Sequence, residues 1–163
     1  MQPSAIAKII EDRVSELLVP LEFRRQSRLF SRPRNDLLQL VQIQSSQSNS
    51  DESSSFTINL GLWVRALDPG ARPSIPGAHW RQRLGFVSPE HQDTWWEAAD
   101  LVSADLRAQE IVASIRAYGL TALDAVPDAS ALLDLWSTGA SPGLTEVQAS
   151  RYAGKLSGAA GQP

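Results

Sequence analysis

Between residues 56 and 64 the chain alternates without a slip. Phe56, Ile58, Leu60, Leu62 and Val64 fall on one side of an extended backbone. Thr57, Asn59, Gly61 and Trp63 fall on the other. Side chains of a strand point to opposite faces in turn, so this pattern predicts a strand with one face buried. A sheet built around it needs a second layer over that face. Gly61 leaves a gap in the more polar row, which predicts a bulge or a close backbone approach.

The flanking segments supply the rest of such a sheet and its cover. Ile6, Ile10, Val14, Leu17 and Leu18 recur at helical spacing, predicting a helix over 4–19 capped by Ser4 and stopped by Pro20. Two strands follow within 27–44, around a turn at Pro33-Arg34-Asn35-Asp36. In the second of them Leu38, Leu40, Gln42 and Gln44 share one face, and Leu37, Gln39, Val41 and Ile43 the other. The tract 45–55 is almost wholly Ser, Gln, Asn, Asp and Glu, and reads as a solvated loop. Pro69, Pro73, Pro76, Gly70 and Gly77 predict a second long loop over 66–79, and a short strand is expected at 81–87. Ser88-Pro89-Glu90 reads as a cap with proline at the first helical position. Thr94 to Glu97 fits a capping box for a helix whose stripe runs from Leu101 to Tyr118, with Gly119 as its left-handed stop. Short helices are expected at 121–126 and 129–137. The expected fold is α+β: one antiparallel sheet of three to four strands, with an N-terminal helix and C-terminal helices on one face. Residues 1–140 form a single domain in this reading, and 141–163 a weakly structured tail.

Three stretches together resemble a known family. Phe23-Arg24-Arg25 runs into Arg28-Leu29-Phe30-Ser31-Arg32. Val41-Gln42-Ile43-Gln44-Ser45 is followed, after a polar gap, by Phe56-Thr57-Ile58-Asn59-Leu60-Gly61. Arg81-Gln82-Arg83-Leu84-Gly85 precedes Trp95-Trp96. Their order and spacing over roughly residues 5–137 resemble the domain of unknown function 4304 family, which is mainly bacterial. The resemblance implies an α+β fold and brings no activity, cofactor or site residue. The chain departs from the family pattern at Glu22, where a Gly-Phe pair is expected, and this puts the turn after the first helix in question.

Composition narrows the chemistry. There is no cysteine, which removes disulfides, thiolate metal sites and thiol nucleophiles. The two histidines, His79 and His91, form no familiar zinc spacing with Asp93. No nucleophile elbow or phosphate-cradling loop occurs, so catalysis, a metal and a cofactor are not expected. No stretch is long and apolar enough for a membrane span or a signal peptide, and the expected location is the cytoplasm. The net charge of −3 hides a segregation. Arg24, Arg25, Arg28, Arg32 and Arg34 stand together without an acid, while nine acids and two arginines occupy 90–134.

Four sets of residues are candidates for binding. Arg28 and Arg32 alternate with Phe30 and offer guanidinium forks beside a ring, against the plainer reading of a solvated face. Trp63, Trp95 and Trp96 serve either as contact residues or as core, and of the adjacent pair one is expected inside and the other at a loop or groove. Gln42, Gln44 and Asn59 line a polar face if the strands pair in register. Arg81 and Arg83 flank that face. The expected function is a small binding module, of the immunity or adaptor kind, with a protein partner. The alternative is an anion- or nucleotide-binding protein, or an enzyme, taking a phosphate-bearing ligand on this arginine- and glutamine-lined sheet face. Membrane and specific nucleic-acid partners are not expected.

Overall fold

The computed structural model describes residues 3–47 and 53–160. Helix α1 (Pro3–Leu18) buries Ile6, Ile10, Val14 and Leu18, the stripe at three- and four-residue spacing. It begins ahead of Ser4, so Ser4 lies inside it. Pro20 does not stop the chain at once but tightens it into a 3-10 turn, Val19–Leu21. Glu22 then takes the left-handed conformation (φ 74°, ψ 15°), its N–H bonded to the carbonyl of Val19. A residue with a β-carbon pays for that φ, whereas the glycine expected here from the resemblance would adopt it freely.

Six antiparallel strands follow among the described residues, more than the three to four expected: β1 (Arg24–Gln26), β2 (Leu29–Arg34), β3 (Leu37–Ser45), β4 (Ser54–Val64), β5 (Trp80–Arg83) and β6 (Trp96–Ala98). Their order is β1-β2-β3-β4-β5, and β6 pairs with the start of β4. The unexpected strands, β1 and β6, are three residues long, too short to show a period in the sequence. The polar tract is shorter than expected, because β3 reaches Ser45 and β4 starts at Ser54. Its middle, 48–52, lies outside the described residues.

Where a helix start is expected, at Thr94 to Glu97, the chain instead runs without helix into β6. The Thr57 hydroxyl donates to the Thr94 carbonyl, and Trp96–Ala98 pairs with β4. The reciprocal cap sits further on, at Asp100 and Ser103, and opens α3 (Leu101–Ser114). The expected strand 81–87 breaks after Arg83 into one helical turn, α2 (Leu84–Val87), so Ser88 and Pro89 follow a turn rather than begin a helix. Gly85 makes this possible, since a β-carbon there would lie 2.1 Å from the Gln92 carbonyl oxygen. Gly119 is not left-handed. It ends a π-helical turn, Ile115–Gly119, against Leu84 and Leu60, and the chain continues into α4 (Leu120–Asp124). Then come α5 (Ala129–Ser137), capped by Asp128, and α6 (Glu146–Ala160). Helix α6 occupies the stretch that reads as a weakly structured tail. No helix among the described residues is long and apolar enough to cross a membrane.

The fold is α+β, an open antiparallel sheet with α1, α3 and α5 packed on one face. Phe30, Val41, Ile43, Phe56, Ile58, Leu60 and Leu62 meet α1, α3 and α5 in the main core. On the opposite face Leu40 and Trp63 pack under Ile75 and Ala78 of the 66–79 loop. Gly61 is the predicted close approach, because a β-carbon there would press on Ile75 and Ala78.

A buried imidazole closes this loop. Val64 N–H donates to His79 Nδ1 at 2.9 Å, so the proton resides on Nε2 and is donated to Asp68 Oδ2 at 2.7 Å. Tyr152 of α6 lies edge-on to the ring, and Lys155 reaches the Leu67 carbonyl. Burial holds His79 below its ordinary pKa, more strongly than Asp68 raises it.

Glu22→Gly is expected to stabilise the protein by about 1 kcal/mol in chemical denaturation, because it relieves the left-handed penalty. The unfolded chain protonates His79 near pH 6.5, where the folded protein still resists. The contribution of His79 is therefore intact above about pH 6.5 and lost as pH falls below it. Denaturation series between pH 7.5 and 5 should show this slope, and His79→Gln should flatten it.

Candidate functional site

The face of the sheet away from the helices is only partly covered. Antiparallel register aligns Gln42 of β3 with Asn59 of β4, and Asn59 with Arg83 of β5. Leu40, Gly61 and Arg81 align in the next row. The 66–79 loop fills the hollow over Gly61, and its Ile75 and Pro76 line the space beside it. Phe86 of α2 lines it too. The result is a cleft of about 490 Å³ floored by the amides of Gln42, Gln44 and Asn59.

The three amides are ordered by one another. Asn59 Nδ2 donates to Gln44 Oε1 at 2.7 Å and to Gln42 Oε1 at 3.2 Å. Both amide hydrogens of Asn59 are thereby used, and the NH2 groups of both glutamines meet no acceptor among the described residues. Asn59 is 8% exposed, which makes it the fixed centre of the group.

The two arginines differ. Arg83 Nη1 donates to Asp93 Oδ2 at 2.6 Å, and its guanidinium lies 5.3 Å from the ring centroid of Trp95. Trp95 Nε1 donates to the same Asp93 oxygen. Arg83 is therefore neutralised and braced. Arg81 meets only backbone carbonyls among the described residues: Nη1 donates to Pro76, and Nε and Nη2 both donate to Gly143. Its own backbone N–H donates to Pro142. Gly143 is required for this seat, since it has φ 80° and a β-carbon would lie 2.6 Å from Arg81 Cβ. Of the five N–H groups of Arg81, one on each terminal nitrogen remains. The charge is fixed in place and uncompensated.

The structure thus brings Gln42, Gln44, Asn59, Arg81 and Arg83 to one cleft, with Trp95 behind Arg83. It separates the other candidates. Arg28 lies in the turn between β1 and β2, donating to Ser45 and near Glu11 of α1. Arg32 projects to the helix side, because it shares a face with Phe30, and Phe30 is buried core rather than a stacking platform. Arg32 is 5% exposed. It donates twice to Gln39 Oε1 and once to the Leu21 carbonyl, lies 4.5 Å from the Phe23 ring centroid, and reaches Asp124 at 3.5 Å. Burial lowers its pKa. Trp63 is buried in the second cluster, 5.1 Å from the ring centroid of His79. Trp96 packs against the main core, so the adjacent tryptophans divide, one inward and one toward the cleft side. Sequence reasoning missed Ile75, Pro76, Phe86 and Gly143, which line the cleft from two loops and a turn. Only the isolated glycine and prolines there hint at close packing.

Because Arg32 is enclosed and Asp124 is 55% exposed, their removal should cost unequal amounts. Arg32→Met is expected to lose about 2–4 kcal/mol of stability, since it strands the Gln39 carbonyl and unties β2 from α4. Asp124→Asn should lose less than about 1 kcal/mol. Equal losses in urea titrations would contradict this account.

No curated protein and no solved structure matches the chain. The pattern of the Domain of unknown function (DUF4304) family matches residues 14–125, which run from the last turn of α1 past the end of α4 and include every strand of the cleft. The chain belongs to the DUF4304 family.

Proposed function

We infer that this protein is a small binding module whose cleft on the open sheet face takes a ligand bearing an oxyanion. The observation that carries this reading is Arg81: a guanidinium held by three carbonyl contacts, facing no carboxylate among the described residues, beside two glutamine NH2 donors. A positive charge placed in a concave, partly apolar site raises the local concentration of anions. Arginine suits a two-oxygen partner, because its N–H groups lie in one plane. The size of the cleft fits a small metabolite or the end of a chain rather than a nucleic-acid duplex.

A second reading, a protein partner docked elsewhere in the manner of an adaptor or immunity protein, is favoured by one feature. Leu101, Val102 and Leu106 stand exposed on the first turns of α3, with Val102 73% exposed. The two readings separate experimentally. Calorimetric titration with inorganic phosphate, pyrophosphate and small carboxylates should give binding that weakens as salt rises. Arg81→Gln should weaken it by about tenfold or more. If no oxyanion binds, or if Arg81→Gln leaves the affinity unchanged while circular dichroism shows an intact fold, the cleft is not the working site.

A further inference from the structure

We propose that the oxyanion is a carboxylate on an acylated amino acid or short peptide, either a free metabolite or the C-terminus of a polypeptide. This rests on the cleft being an anion site and goes further by choosing among anions. Charge is the first ground. Asp93 neutralises Arg83, so the cleft offers one net positive charge, from Arg81. A polyphosphate carries several negative charges and is met elsewhere by clustered cations or a cradle of backbone N–H groups. Arg81 is instead wedged among carbonyl oxygens, which repel a multiply charged group close by.

Shape is the second ground. Arg81 keeps one N–H on each of its two terminal nitrogens, a match for the two oxygens of a planar carboxylate. The row of Gln42 and Asn59 lies one strand repeat away, about 7 Å along β4. At that distance from its carboxylate, an acylated dipeptide carries a neutral amide carbonyl. The free NH2 groups of Gln42 and Gln44 donate to such a carbonyl, and the free Asn59 oxygen accepts an amide N–H. Ile75, Pro76 and Phe86 supply apolar surface for a side chain between the two ends. Phe86, 36% exposed, has no role in either core.

The isosteric variant Gln44→Glu makes the test clean. It keeps the oxygen that Asn59 donates to and replaces the outward NH2 with a charged oxygen, so the fold is conserved while the donor is lost. The probes are N-acetyl-glycyl-leucine, its C-terminal amide, a hexapeptide ending in free leucine, the amidated hexapeptide, and pyrophosphate. Free acids are expected to bind at least about tenfold more tightly than their amides. Gln44→Glu should weaken the acids by a similar factor with an unchanged melting temperature. Equal affinity for the hexapeptide and the capped dipeptide assigns a metabolite, and tighter hexapeptide binding assigns a protein C-terminus; both support the proposal. If the amides bind as well as the acids, or pyrophosphate binds more tightly than both acids, the proposal is overturned. In the pyrophosphate case, Arg81 dependence keeps the anion-binding reading alive. If no probe binds in an Arg81-dependent way, both fall together.

Discussion

Strand β4 is enclosed on every side, and the rest of the molecule is arranged to enclose it. Every residue from Phe56 to Val64 is buried, on both faces of the sheet. Its backbone pairs along one edge with β3 and along the other with β5 and β6 in succession. Buried backbone groups must find partners, so the short strands β5 and β6 are needed to satisfy the edge that β3 leaves open. The apolar row requires the helix layer. The second row requires its own cover, and the chain supplies it with the proline-rich 66–79 loop instead of another helix. A loop can cover only part of a sheet face. Where its cover ends, beyond Gly61 toward Asn59, the polar amides begin and the cleft opens.

This division follows from side-chain size along one strand. Trp63 and Gly61 accept an apolar lid, the first by bulk and the second by absence. Asn59 and Thr57 cannot be buried without hydrogen-bond partners. Thr57 finds the Thr94 carbonyl, and Asn59 finds two glutamines from β3. The site is thus set up by the rule that governs any core: a polar group within the sheet draws further polar groups to its side.

Much of this was legible from period alone. The β4 alternation named both faces, the α1 stripe named its buried side, and the Gln42, Gln44 and Asn59 face depended only on a register that the structure shows. What failed were inferences from short signals. Thr94 to Glu97 has the letters of a capping box, but a box needs a free helix start, and β4 needed an edge partner there. Arg28 and Arg32 looked equivalent because both are arginine near a strand. Yet the turn at Ser27, with φ 58°, takes Arg28 out of the strand, while Arg32 shares the core side with Phe30. A cluster of like charge in the sequence says nothing of faces, and here the cluster is dispersed around an edge. The residues that make the cleft concave come from segments without period, which no spacing argument can place.

The backbone contacts of Arg81 and the anion contact proposed for it belong together. Strand β5 is the sheet's last strand at that end, and an exposed edge of unpaired N–H and C=O groups invites pairing with other chains. Pro142 and Gly143 cover it, accepting from the Arg81 backbone N–H and side chain. Lysine has three N–H groups on one nitrogen, so after donating to Gly143 and Pro76 it would keep a single N–H and not the paired donors of a guanidinium. The arginine that protects the edge is therefore also held in a single orientation. A cation so immobilised loses little further freedom when an anion arrives, which lowers the entropic cost of binding. The requirement to cover an edge strand has, in this fold, produced a preorganised positive charge.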